Sequence, residues 1–221
     1  MAVNPGCAGL VIFDCDGVLV DTEPLSNAML AQALGTLGLS FSISEARRVF
    51  VGLSWPDIII RIEGLTDRPV PEGWVEDLVA REGEAYAREL QPVPGVRAIL
   101  EWLNDEGRPF CVASSGTIDK MRLTLGTTGL LPFVEDVLFS AHMVARGKPA
   151  PDLFLHAASE MGHAPEGCTV IEDSVPGITG AKAAGMRVLA YAGDPVADQE
   201  ALRAAGGEVF TDMADVPRLI A

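Results

Sequence analysis

Short, almost entirely apolar runs recur along the chain, separated by patterns typical of amphipathic helices. Runs this short, without polar alternation, predict strands that are covered on both faces. Where such strands alternate with helices, they predict an α/β fold with a parallel sheet and helices on both of its faces. The predicted strands are residues 9–13, 110–113, 169–171 and 187–191, and the predicted helices are residues 96–104, 118–125, 152–161 and 178–184.

One long segment interrupts this alternation. From about residue 23 to residue 90 the pattern is helical and contains no convincing strand. It ends at Gln91-Pro92-Val93-Pro94-Gly95, where the prolines and the glycine prevent a helix from continuing. We therefore predict a core domain of residues 1–21 and 92–221, into which a helical subdomain of residues 22–91 is inserted.

The charge of the chain limits the class of partner. A formal net charge of −15 over 221 residues repels polyanions, which disfavours nucleic acid and anionic membrane surfaces. No apolar stretch approaches the roughly 20 residues that a membrane-spanning helix needs. The sequence therefore predicts a small-molecule partner and leaves open whether the protein is a monomer or a homodimer.

The cysteines and histidines do not suggest a disulfide framework or a zinc site. No two cysteines form a CxxC pair, and the chain begins without a basic segment followed by a long apolar run, so we expect a reduced, cytoplasmic protein. The histidine spacings suit no common zinc site, and we interpret these residues as surface or packing residues. The residues concerned are Cys7, Cys15, Cys111, Cys168, His142, His156 and His163.

Two carboxylates follow the first predicted strand, in Asp14-Cys15-Asp16-Gly17. In a parallel α/β sheet ligands bind beyond the carboxyl ends of the strands, so both side chains would project into that crevice. Two neighbouring acids can divide the work of phosphoryl transfer, one attacking as nucleophile and the other acting as general acid and base. An acidic loop on a very acidic protein is the alternative interpretation.

Further polar residues follow the later strands. Ser114 could hold a phosphoryl oxygen, although a serine at such a turn is often a helix N-cap. Lys148, in Gly147-Lys148-Pro149, could neutralise a transferring phosphoryl group. Glu172 and Asp173 close a strand, where buried acids are costly unless they are paired or bound to a cation. These side chains together favour a phosphate and hard-metal site.

In this order the motifs resemble those of the haloacid dehalogenase superfamily. The matching motifs are Asp14-x-Asp16-Gly17-x-Leu19-x-Asp21, Ser114, Lys148-Pro149 and Glu172-Asp173-Ser174, and the resemblance extends from about Leu10 to Ala192. It implies a Rossmann-like core with a helical cap inserted after the first strand. It also implies a Mg²⁺-dependent phosphatase that forms an aspartyl-phosphate.

The resemblance assigns a role to each motif residue. Asp14 would be the nucleophile and Asp16 the general acid and base. Mg²⁺ would be held by the Asp14 carboxylate, the Asp16 backbone carbonyl and Asp173, with Glu172 near its water shell. The phosphoryl oxygens would be bound by Ser114, Ser115 and Lys148.

Asp16 favours phosphate chemistry over dehalogenation, because an alkoxide leaving group benefits from a proton donor and a halide does not. The stretch Val112-Ala113-Ser114-Ser115-Gly116, followed by Lys120-Met121, is similar to phosphatases of small sugar phosphates, including a 6-phosphogluconate phosphatase. A sugar phosphate is therefore the substrate class that the resemblance implies.

Two alternatives remain. In the similar β-phosphoglucomutases the cap carries a histidine and an arginine, and here Ser26 and Trp55, the latter in Gly52-Leu53-Ser54-Trp55, take those positions, which favours water as the acceptor. A phospho-accepting switch of the receiver type uses similar residues. It is disfavoured because the proposed nucleophile follows the first strand rather than a central one, and because of the large inserted segment.

Overall fold

The computed structural model describes residues 9–50 and 55–221. It divides the chain into two compact units, one formed by Met1–Asp21 with Gln91–Ala221 and the other by Thr22–Leu90. Cys7 and the segment Gly52-Leu53-Ser54 lie outside the described residues. Within the described ranges, no helix is both long and apolar enough to cross a membrane.

The larger unit contains a parallel sheet, as predicted from the sequence. Its described strands follow the spatial order β3-β2-β1-β4-β5-β6, and every neighbouring pair is parallel. The α/β fold class is thereby confirmed. The strands are β1 (Leu10–Phe13), β2 (Phe110–Ser114), β3 (Leu138–Ser140), β4 (Cys168–Glu172), β5 (Arg187–Tyr191) and β6 (Glu208–Phe210).

The sequence did not predict β3 and β6. Each spans three residues, and each includes a polar residue, Ser140 in one and Glu208 in the other. Neither strand therefore forms the continuous apolar run by which the other four were recognised. Both lie at an edge of the sheet, where one side of the strand has no partner strand.

The smaller unit is helical. Its described residues form α1 (Glu23–Thr36), α2 (Ile43–Phe50), α3 (Trp55–Thr66) and α4 (Trp74–Glu89), with no strand among them. A capping box starts α2, since the Ser42 backbone N–H donates to Glu45 at 2.8 Å and the Glu45 N–H donates to the Ser42 hydroxyl at 3.2 Å. A core of its own includes Leu34, Phe50, Ile62 and Leu78.

The helices of the larger unit follow its strands in the expected alternation. One face of β1 packs into an apolar cluster with Phe154 and Ile178, and Val11 and Phe13 on its other face are also fully buried. Burial on both faces explains why this strand is an unbroken apolar run. The helices are α5 (Val96–Asp105), α6 (Ile118–Thr127), α7 (Leu131–Val134), α8 (Asp152–Glu160), α9 (Val175–Ala183), α10 (Gln199–Ala204) and α11 (Val216–Leu219).

The direction of the strand connections reverses beside β1. The chain runs outward from β1 to β2 and β3, and then returns to form β4 on the other side of β1. Phe13 lies opposite Ile171 in the register of these two strands, so the residues that follow them emerge at one level. A reversal of this kind opens a crevice at the carboxyl ends of the strands, which is where ligands bind in α/β sheets.

Candidate active site

Asp14 is the first residue beyond β1, and its backbone N–H donates to the Ile171 carbonyl of β4 at 2.9 Å. The chain then turns back on itself, because the Gly17 N–H donates to the Val20 carbonyl at 2.8 Å. Gly17 has a φ of +78°, and the Asp173 carboxylate occupies the space that a Cβ would need. Only glycine meets both requirements, which explains its place in the motif.

Lys148 connects two of the predicted site carboxylates. Its Nζ lies 2.5 Å from Asp14 Oδ1 and 2.7 Å from Glu172 Oε1. The Lys148 side chain is only 5% exposed, that of Asp14 11%, and that of Glu172 0%. The Phe154 ring centroid lies 5.1 Å from the same ammonium group. The Lys148 side chain is therefore buried and faces the carboxylates of the crevice, not solvent.

Burial and charge act in opposite directions on these groups. Burial raises the pKa of Asp14 to about 7, while the Lys148 ammonium opposes that rise. Burial by itself would lower the pKa of Lys148, but the Asp14 and Glu172 carboxylates outweigh it and leave that pKa above its usual value. Lys148 therefore carries a positive charge at neutral pH and favours the ionised form of Asp14.

Glu172 holds Lys148 from the side of β4. Its second oxygen, Oε2, accepts hydrogen bonds from the Ser174 backbone N–H at 2.7 Å and from the Ser174 hydroxyl at 2.9 Å. Ser174 is also the N-cap of α9, because its Oγ accepts from the Gly177 N–H at 3.1 Å. Both Glu172 oxygens are thus bound by protein donors, and this residue orients the lysine.

Gly177 makes room for the Glu172 side chain. A Cβ at position 177 would overlap the Glu172 carboxylate, which has nowhere to move because it is fully buried. Replacing a helical glycine by alanine normally stabilises a protein by up to about 1 kcal/mol. We expect Gly177→Ala instead to lower the free energy of unfolding by about 1–3 kcal/mol, the usual range for overpacking, and to reduce activity.

Gly126→Ala is the matched control in chemical denaturation. Gly126 is also helical, in α6 of the same unit, and its added Cβ would meet only Leu131 at an ordinary 3.9 Å. We expect this control to be neutral or stabilising and fully active. If Gly177→Ala behaves like Gly126→Ala, the Glu172 carboxylate is not confined as described.

The end of β2 carries the next predicted residues. Ser114 is 2% exposed and its Oγ accepts from the Gly116 N–H at 3.0 Å. The N-cap of α6 is Thr117, whose side chain accepts from the Lys120 N–H, so the interpretation of Ser114 as a helix cap is wrong. Ser115 is exposed, and among the described residues its side chain makes no hydrogen bond with the other candidates.

Asp16 pairs with a residue to which the sequence assigned no role. Asp16 Oδ2 lies 2.8 Å from Lys120 Nζ, in the first turn of α6. Ser114 and Asp16 both border Gly116, since a Cβ on that glycine would lie 3.4 Å from Ser114 Oγ and 4.0 Å from Asp16 Oδ2. In this fold the start of the helix that follows β2 lies at the crevice. The position of Lys120 near that start is the signal by which the sequence could have indicated it.

The oxygen atoms around this crevice suit a hard divalent cation. Asp14 and Asp16 follow β1, Glu172 is the last residue of β4 and Asp173 follows it, and carboxylates and carbonyls are the ligands that Mg²⁺ prefers. Asp16 Oδ1 is buried without a hydrogen-bond partner among the described residues. In the described part of the chain, no three acidic, histidine or cysteine side chains form a ready metal cluster. The ligand set that the resemblance implies has only two carboxylates and one backbone carbonyl, so it does not depend on a cluster of three such side chains.

The residues relevant to mutase chemistry lie in the helical unit. Ser26 Oγ lies 2.5 Å from Tyr86 Oη, joining α1 to α4. Trp55 begins α3 and is 36% exposed. Neither side chain can supply the positive charge that would anchor a second phosphate.

Comparisons with known proteins agree with this geometry. Residues 9–185 match the family model of the haloacid dehalogenase-like hydrolases. The 6-phosphogluconate phosphatase of Escherichia coli is 31% identical over 186 residues, which cover 84% of this chain and 83% of that protein.

Two solved structures are similar over almost the whole chain. A haloacid dehalogenase-like protein of unknown function from Agrobacterium tumefaciens superposes with a TM-score of 0.87 at 33% identity, covering 97% of this chain and 98% of that one. A putative β-phosphoglucomutase from Thermotoga maritima gives a TM-score of 0.81 at 25% identity, covering 96% and 98%.

Proposed function

This chain belongs to the haloacid dehalogenase-like hydrolases, and we propose that it is a Mg²⁺-dependent phosphatase that hydrolyses a small sugar phosphate through a phosphorylated Asp14. The observation that carries the proposal is the buried contact of Lys148 with Asp14 and Glu172 at the end of the central strands. The E. coli relative named as a 6-phosphogluconate phosphatase supports the substrate class.

The first half of the reaction transfers the phosphoryl group to the enzyme. Asp14 attacks phosphorus with a carboxylate oxygen, and the bond between phosphorus and the leaving oxygen breaks. Asp16 donates a proton to that oxygen, so that an alcohol departs rather than an alkoxide. Lys148, together with the Ser114 hydroxyl and with Ser115, binds the phosphoryl oxygens, so that positive charge and hydrogen bonds face the charge of the transferred group.

The second half returns the enzyme to its starting state. Asp16, now ionised, removes a proton from a water molecule as that water attacks the phosphorus of the aspartyl-phosphate. The bond between phosphorus and the Asp14 oxygen breaks, inorganic phosphate leaves, and Asp16 holds a proton for the next cycle. One acid residue thus serves both halves of the reaction, in opposite directions.

The metal would be held by the Asp14 carboxylate, the Asp16 backbone carbonyl and the Asp173 carboxylate, and when bound it supplies positive charge that offsets the repulsion between a carboxylate and a phosphate. Glu172 was expected near the water shell of the metal. Its contacts with Lys148 and Ser174 support a role in orienting the lysine instead.

The position of β1 in the sheet is also compatible with a receiver-type switch, contrary to the expectation from sequence. The strand before Asp14 is the first in the chain, but it lies inside the sheet between β2 and β4, so its position does not oppose a receiver. Membership of the hydrolase family, with a match that includes the helical unit, opposes it instead.

A phosphate-release screen tests the function. Purified enzyme with Mg²⁺ should release inorganic phosphate from several sugar phosphates. Given a hexose 1-phosphate and a trace of the corresponding bisphosphate, it should accumulate phosphate and form little 6-phosphate, because Ser26 and Trp55 offer no anchor for a second phosphate. Rapid isomerisation with negligible phosphate release would establish a mutase.

A further inference from the structure

The ion pair between Asp16 and Lys120 has no part in the roles described above. Asp16 Oδ2 lies 2.8 Å from Lys120 Nζ, whereas Asp16 Oδ1 has no hydrogen-bond partner among the described residues. Among the described residues, it is therefore the Lys120 side chain that restrains the orientation of the Asp16 carboxylate. A carboxylate held through one oxygen loses the rotational freedom that an unanchored aspartate would have.

The lysine is itself held in place. Its backbone N–H donates to the Thr117 side chain at 3.1 Å, and its carbonyl accepts from the hydroxyl of Thr124 at 3.0 Å. Thr124 is fully buried. The first turn of α6 is therefore fixed at both of these points, and the Lys120 side chain extends to Asp16 from a rigid base.

Little space separates the pair from the phosphate-binding serine. The position of a Cβ on Gly116 would lie 3.4 Å from Lys120 Cδ, 3.4 Å from Ser114 Oγ and 4.0 Å from Asp16 Oδ2. The lysine thus contacts Asp16 on the side of the crevice where Ser114 lies. A shift of about 1 Å in a catalytic group can slow a reaction about 100-fold, so such a restraint matters for catalysis.

We propose that Lys120 is a positioning residue that holds the Asp16 carboxylate in line with the leaving oxygen of the substrate. The proposal rests on the proposed phosphatase function. It predicts that removing Lys120 lowers kcat/KM more for a substrate whose leaving group needs a proton than for one whose leaving group does not. An alkyl phosphate needs that proton, while nitrophenolate is stable enough to leave without it.

The test compares Lys120→Met with wild type on an alkyl phosphate and on 4-nitrophenyl phosphate. The ratio kcat/KM reports the steps up to release of the first product. We expect Lys120→Met to lower it about 10-fold or more for the alkyl phosphate and less than about 3-fold for the nitrophenyl ester. Lys120→Arg, which keeps a donor, should recover part of the loss.

Two controls separate positioning from other roles. Arg122→Met removes the same charge from an exposed position of α6 and should leave both substrates unaffected. In an Asp16→Asn background, Lys120→Met should have almost no further effect, because it acts through Asp16. Equal losses with both substrates, or a full additional loss in the Asp16→Asn background, would overturn the proposal. A wild-type enzyme that releases no phosphate from any substrate would instead refute the function on which the proposal rests.

Discussion

Asp14→Asn should abolish phosphatase activity, with kcat falling by on the order of 10⁴-fold or more, as is typical when a covalent nucleophile is removed. An amide cannot form the acyl phosphate, and it removes the charge that faces the Lys148 ammonium at 2.5 Å. Asparagine has nearly the same shape as aspartate, so the fold should persist. Phosphate release under saturating substrate and Mg²⁺ is the measurement, with circular dichroism as a check on folding.

Asp105→Asn provides the matched control for that substitution. Asp105 is exposed at the end of α5, and the variant makes the same chemical change in the same unit. It should be indistinguishable from wild type. If Asp14→Asn retained turnover near the wild-type rate, Asp14 would not be the nucleophile.

Lys148→Met should reduce both activity and stability. The substitution leaves the Asp14 and Glu172 carboxylates buried beside each other without their shared cation. Removing one partner of a buried ion pair typically costs about 3–5 kcal/mol of folding free energy. The loss of a preorganised charge at the phosphoryl group should lower kcat/KM by about 100-fold to 1000-fold.

The two effects can be separated by a second substitution. Lys148→Met combined with Glu172→Gln removes one of the stranded charges, so chemical denaturation should show partial recovery of stability while activity stays low. Lys182→Met, at an exposed position of α9, is the control and should change stability by less than about 0.5 kcal/mol. Unchanged kcat/KM in Lys148→Met would show that the lysine only stabilises the fold.

The fold class was predictable because the central strands carry a simple physical signal. Residues covered on both faces must be apolar at every position, as Leu10 to Phe13 are, and such runs are visible without a structure. The edge strands β3 and β6 give no such signal, because three residues with a polar member resemble a loop. Their assignment depends on neighbouring strands far away in the sequence.

The site was predictable at the level of which residues matter, and less so at the level of which residues touch. Strand ends gather at one edge of a parallel sheet, so Asp14, Lys148 and Glu172 could be expected near each other. That Glu172 contacts Lys148 and Ser174 depends on the direction of individual side chains, which the pattern does not contain. The same holds for Lys120, which reaches Asp16 across 104 residues of sequence.

Detection of the phosphorylated enzyme is the decisive test of the proposed aspartyl-phosphate mechanism. Asp16→Asn should still be phosphorylated by 4-nitrophenyl phosphate, whose leaving group needs no proton, but should hydrolyse the aspartyl-phosphate slowly because it lacks the base. Rapid mixing should then give a burst of nitrophenol equal to the enzyme concentration. Acid quenching and peptide mass spectrometry should locate one phosphoryl group on Asp14. A phosphoryl group on another residue, or continued turnover with neither burst nor label, would contradict a mechanism through phosphorylated Asp14.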